Sequence, residues 1–71
     1  MQYPKPVMRK SELEQMGFPE EYLLRVYRTP KQRIAWKMNP SKDGSPIVFD
    51  TEELEKFRIA EIDMQVSAMP R

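Results

Sequence analysis

Neither cysteine nor histidine occurs anywhere in these 71 residues. Without cysteine there is no disulfide framework and no thiolate zinc site, and without histidine the commonest metal ligand and general base are both missing. Glycine is nearly absent too, at two residues, so each glycine marks a place where the backbone needs it. No apolar run approaches the roughly 20 residues of a membrane span, and the N-terminus lacks the apolar core of a signal peptide. The expectation is a soluble, cytoplasmic protein without a membrane partner, a small-molecule substrate, a cofactor or a metal. A chain of this length forms one domain and hides only about 60% of its unfolded surface, so stability rests on packing alone. Tyr3, Phe18, Tyr22, Tyr27, Trp36, Phe49 and Phe57 are its main source.

Acidic residues are the other telling absence. From residue 22 to residue 42 there are six basic side chains, Arg25, Arg28, Lys31, Arg33, Lys37 and Lys42, and not one acid, although the net charge of the whole chain is only +1. Charge separated along a chain in this way is an argument about partners, and the partner it favours is a polyanion.

The elements around the basic block can be read from local signals. Pro4 and Pro6 favour an extended arm over residues 1–9. Ser11 and Glu14 have the spacing of a capping box that opens a first helix, and Gly17 supplies the positive φ that closes it. Pro19, Glu20 and Glu21 suit the first turn of a second helix reaching about residue 28, with Tyr22, Leu23, Val26 and Tyr27 on its apolar face and Arg25 and Arg28 on the polar one. From Arg33 the period changes to two, which places Ile34 and Trp36 on the core side of a strand. Turn formers fill residues 39–45, and residues 46–49 return as a second strand. Asp50 or Thr51 caps a third helix, whose apolar face holds Leu54, Phe57 and Ile62. The periodic signal fades after Met64, leaving residues 65–71 as a frayed tail. The expected organisation is an arm over 1–9, a domain over 10–64 and a flexible tail over 65–71.

Residues 9–58 resemble the small winged helix-turn-helix proteins of the excisionase and AlpA type, relatives of the MerR-like DNA-binding fold carried by phages and integrative elements. The likeness lies in an ordered pattern: Lys10-Ser11-Glu12-Leu13, then Met16-Gly17-Phe18-Pro19 as the turn, Tyr22-Leu23-Leu24-Arg25, Ile34-Ala35-Trp36-Lys37 and Ile47-Val48-Phe49 as the wing, and a closing acidic helix from Asp50 to Phe57. The resemblance implies an α+β fold, a small winged helix-turn-helix with three short helices and a two-stranded hairpin wing. It further implies a DNA-binding architectural or regulatory factor of a mobile element, most simply an excisionase. Several copies would bind neighbouring sites and bend DNA for an integrase. Where the family begins its recognition helix with small, polar or basic residues, this chain has Pro19-Glu20-Glu21. Carboxylates there repel phosphates unless one accepts from cytosine N4, so the helix is expected to dock through its middle.

Each basic residue then has an expected task on double-stranded DNA. Arg25 and Arg28, one turn apart, are the candidates for base contact, with Arg25 as the reader of guanine O6 and N7. Lys31, Arg33, Lys37 and Lys42 are candidates for the backbone and the wing, and Lys5, Arg9 and Lys10 extend the footprint from the arm. Other features read as structural. Asp43 is a single acid in the hairpin tip and cannot build a calcium cage. Glu52, Glu53 and Glu55 form a solvated first turn, and no base stands ready to activate Ser11 or Thr51, so no enzymatic activity is expected. Two alternatives use the same scaffold: a phage- or element-encoded transcriptional repressor, and a protein-binding inhibitor that presents Glu20, Glu21 and the acidic third helix. The apolar residues Met64, Val66 and Met69 in the tail offer a contact for an integrase or for additional copies of the chain.

Overall fold

Six elements follow one another in the structure, a computed structural model that describes residues 1–68: β1 (Val7–Arg9), α1 (Lys10–Gln15), α2 (Glu20–Arg28), β2 (Ala35–Lys37), β3 (Ile47–Asp50) and α3 (Thr51–Ala68). The fold is α+β, with three helices and a three-stranded antiparallel sheet in the order β1-β3-β2. The hairpin of β2 and β3 is present as expected, but the arm is not an appendage. Its residues 7–9 pair with β3 in the register Val7 with Asp50, Met8 with Phe49 and Arg9 with Val48, and Met8 is buried in the core. The expected two-stranded hairpin is therefore part of a three-stranded sheet. Short runs such as Val7-Met8-Arg9 carry no period of their own, and only the partner strand makes them a strand.

Strand pairing also moves the start of α1. Arg9 is held extended, at φ −73° and ψ 155°, so the helix begins at the next residue and Ser11 lies inside it rather than capping it. Glu12 takes the capping role, accepting the Arg9 backbone N–H at 3.0 Å. At the other end the closure is the expected one. Gly17 has φ +113°, its N–H donates to the Glu14 carbonyl, and the Phe18 N–H donates to the Leu13 carbonyl. This is a Schellman motif, whose left-handed residue is cheap only for glycine, and it turns Phe18 back over Leu13. Pro19 stands just outside α2, with ψ 140°, and its carbonyl receives the first helical bond from Leu23. Asp50 caps α3 by accepting the N–H groups of Glu52 and Glu53 at 3.1 and 3.2 Å. Beside it the buried Thr51 hydroxyl donates to the Lys5 and Pro6 carbonyls at 2.9 and 3.0 Å, tying the N-terminal segment to α3.

The core lies between one face of the sheet and the helices. Met8, Phe49 and Ala35, one from each strand, meet Leu13 of α1, Phe18 of the turn, Leu23 and Val26 of α2, Ile34, and Leu54 of α3. Trp36 is not among them. It keeps 44% of its surface exposed, whereas Ala35 keeps 6%, so the side expected for Trp36 is overturned. Ile34 and Ala35 are both buried in succession because the chain bends before β2 starts, and a one-residue change of phase sends every later side chain to the opposite face. Gln32 sets that bend. Its Oε1 accepts from the Ile34 and Ala35 N–H groups at 2.6 and 2.7 Å, and its Nε2 donates to the Ala35 and Tyr27 carbonyls at 2.8 and 3.2 Å. Ala35 then pairs with Phe49 close under α2.

α3 also runs further than its sequence pattern suggested. It continues through residues 65–68, expected as tail, while Met69, Pro70 and Arg71 lie outside the described residues. Ile62, expected on its apolar face, is 45% exposed, as Leu54 and Phe57 alone reach the core. The helix keeps contact with the body of the domain through Glu61, about three turns along, where it pairs with Arg25, and its exposed residues beyond that point face solvent.

A ladder of side chains joins the N-terminal segment to α2 and α3. Tyr3 stacks on Phe18 with ring centroids 6.2 Å apart, Phe18 stacks on Tyr22 at 5.9 Å, and the Arg25 guanidinium lies 5.2 Å from the Tyr22 ring centre. Such contacts add to what burial alone contributes. Tyr3 donates its hydroxyl to Glu55 at 2.9 Å, and Arg58 grips the same carboxylate with two bonds of 2.8 and 2.7 Å. The Arg58 bonds first, and the Tyr3 hydroxyl after them, hold the Glu55 carboxyl down to about 2 from its ordinary 4.5, against the opposing effect of burial. Burial, followed by the bond to Glu55, pushes the Tyr3 phenol up to about 12. A carboxyl whose folded value is depressed adds stability that is complete above its ordinary range and is lost as protons bind the folded form. Thermal melting is thus expected to show the parent more stable than Glu55→Gln near pH 6, with the gap closing between about 4.5 and about 2. A gap that stays constant across that window would show that Glu55 acts through shape rather than charge.

Candidate nucleic-acid interface

α2 presents its solvent side through Glu21, Leu24, Arg25 and Arg28, which border an open groove with Thr29 and Pro30. Glu21 and Arg28 are two turns apart on one line of the helix, and Leu24 and Arg25 flank that line on either side, as a repeat of 3.6 residues requires. The opposite line is buried through Leu23 and Val26. Thr29 closes the helix, its hydroxyl donating to the Arg25 carbonyl at 2.8 Å. The chain then turns at Lys31, which has φ +63°, a left-handed conformation that costs a side chain with a Cβ roughly 1–2 kcal/mol. Gln32 follows and aims the chain into the hairpin.

The basic residues divide by their partners. Arg28, Lys31, Arg33, Lys37 and Lys42 meet no carboxylate within ion-pair distance among the described residues. Lys37 pairs with Ile47 in the register of the hairpin, so it leans to the same side of the sheet as α2. Lys42 stands at the tip, where Asn39 organises the turn by accepting the Ser41 N–H at 3.2 Å and hydroxyl at 2.8 Å. Five cations are thereby spread from the end of α2 to the end of the hairpin with their charge unspent.

Arg25, the expected reader of a base, is engaged elsewhere. Glu61 of α3 binds its guanidinium through two bonds of 3.0 and 2.5 Å, and Tyr22 stacks against it. The paired carboxylate raises the Arg25 pKa further above its already high ordinary value. Of the arm residues, Lys5 is paired with Glu12, and Lys10 is paired with Glu20 at 2.9 Å and Glu14 at 3.3 Å, whereas Arg9 has no such partner among the described residues. The Lys10 contact lowers the Glu20 pKa and is itself reflected in a raised Lys10 value. One of the two carboxylates at the start of α2 is therefore neutralised from α1. Glu61 and Gln32 were not singled out in the sequence. Glu61 is 36 residues from Arg25, and no local spacing connects them, while the role of Gln32 depends on a bend that only the folded chain defines.

Among the described residues no three acidic side chains gather to hold a metal ion, and no helix is long and apolar enough to cross a membrane. No protein-family model matches the chain, and neither a curated protein nor a solved structure is similar to it at a significant level.

Proposed function

We propose that this chain is a winged helix-turn-helix protein that binds double-stranded DNA, with α2 in the major groove and the β2–β3 hairpin along the adjacent backbone. The observation that carries the proposal is the set of five cations that have no carboxylate partner among the described residues, Arg28, Lys31, Arg33, Lys37 and Lys42. Folding pairs most of the lysines and arginines outside the basic block with acids and leaves this block almost untouched, so the charge separation of the sequence persists as a surface. The order strand, helix, turn, helix, hairpin, helix supports the same reading, because it puts an exposed helix face beside a hairpin of matching charge. The resemblance to excisionase-type proteins extends the proposal to an architectural or regulatory factor of a mobile element, acting with an integrase or with further copies on DNA.

Within this reading Arg28 is the base reader, since it ends the exposed line of α2 and, with no carboxylate partner among the described residues, is free to form a bidentate contact. Arg25 is held in reserve by Glu61. On a site selected from a random duplex pool, Arg28→Ala is expected to cost roughly 1–3 kcal/mol and far less on random duplex, whereas Lys42→Ala weakens both alike. Glu61→Gln is expected to release Arg25, tighten duplex binding and steepen its salt dependence by about one unit. Fluorescence anisotropy of labelled duplexes measures all three variants. If none of them changes duplex binding, the assigned face is wrong.

A further inference from the structure

The sheet has a second face, turned away from the main core, on which Val7 and Trp36 are exposed. Strand residues alternate between faces, and Met8, Phe49 and Ala35 point to the core. The row one residue along, Arg9 on β1, Val48 on β3 and Trp36 on β2 in mutual register, therefore points away from it. Val48 is 5% exposed yet belongs to no part of the main core, as expected of a residue flanked by two large side chains. Val7 lies further along the same face of β1, and Met38 continues the line of β2. Both are exposed, and so is Trp36, the only tryptophan of the chain. No aromatic ring or cation stacks on Trp36 among the described residues.

We propose that this outer face is a separate binding surface for unpaired nucleotides of a DNA single strand, with a base stacked on Trp36 and a neighbouring phosphate held by Arg9. An indole exposed on a flat sheet offers a stacking surface that tolerates any base, and a cation about 10 Å away, two strand spacings across the sheet, is placed for the backbone of the same strand. Arg9 has no carboxylate partner among the described residues. The only acid in these rows, Asp50, is committed to the cap of α3. Charge complementarity thus selects an anion, and the ring selects one with planar groups. An apolar peptide on this face would bury the Arg9 charge without a counterion, which is costly. A duplex keeps its base faces stacked inside, out of reach of a ring that does not wedge between them. Trp36, the stacking residue, points away from α2, so its part in the surface does not depend on the assignment of the duplex-binding face, while Arg9 at the sheet edge also borders a groove that reaches Leu24 of α2.

The single tryptophan makes the test direct. Titrating the protein with a thymidine homo-oligonucleotide should quench its intrinsic fluorescence in a saturable way, while a blunt duplex of equal nucleotide content should quench it much less. Trp36→Ala should lower affinity for the labelled oligonucleotide by about 5- to 150-fold, the range that corresponds to one stacked base. Trp36→Phe should recover part of it, and Arg9→Ala should weaken it with the fluorescence of the free protein unchanged. Circular dichroism of each variant confirms the fold. Arg28→Ala should leave single-strand binding as it is while impairing the duplex, which separates failure of this proposal from failure of the duplex reading. Equal oligonucleotide affinity for the parent and Trp36→Ala would overturn the proposal. Shielding of Trp36 that rises with protein concentration alone would also overturn it, since a second copy would then cover the face.

Discussion

Phe49→Ala is expected to destabilise the domain by about 3–5 kcal/mol, the cost of emptying a fully packed aromatic site. Phe49 is completely buried at the centre of the middle strand, paired with Met8 on one side and Ala35 on the other. A protein of this length has a total stability of roughly 4–11 kcal/mol, so the loss is a large part of the whole. Trp36→Ala, in contrast, removes a ring that is nearly half exposed and is expected to cost about 1 kcal/mol or less, in line with surface substitutions. Urea unfolding followed by circular dichroism ranks the two. If Trp36→Ala proves the more damaging, the outer sheet face is a second core and not a free surface.

Duplex binding is expected to fall steeply with salt. Of the five cations without an acidic partner among the described residues, Arg28 is assigned to a base, which leaves Lys31, Arg33, Lys37 and Lys42 for phosphates. Four phosphate contacts correspond to a slope of about −3.6 in log affinity against log salt, or about a 150-fold loss between 50 and 200 mM. Replacing Lys37 and Lys42 together by Ala should bring the slope to about −1.8. The effect should be the same for any sequence, because backbone contacts position a protein without reading bases. Anisotropy titrations on random duplex over that salt range measure it. An affinity that ignores salt would remove DNA as the partner of this surface and favour a protein-binding role for the scaffold.

Most local devices were legible from a few residues at short range. Gly17 ends α1, Asp50 starts α3, and the apolar face of α2 at Leu23 and Val26 is buried as its spacing indicates. Such features depend on neighbours within one or two turns, and local propensity and capping speak directly to them. The acid-free basic block was equally plain, because charge along a chain can be counted. Its survival as an unpaired surface is a different matter: Arg25 belongs to the block in sequence but to Glu61 in space.

What failed was everything that needed a partner distant in the chain. Val7–Arg9 became a strand because β3 offered a free edge. Ser11 lost its capping role because that strand ran directly into α1. Trp36 went outward because the Gln32 clamp placed Ile34 and Ala35 in the core one after the other, and the alternation of the strand then left the larger ring no place inside. A period of two defines two faces but does not say which one is buried. Composition, charge and the helix ends at Gly17 and Asp50 were thus settled by the order of residues alone. The phase of the short strands, the release or capture of each arginine, and the exposure of the only tryptophan were decided when long-range pairing brought the sheet together, because those choices are made by contacts that no local window contains.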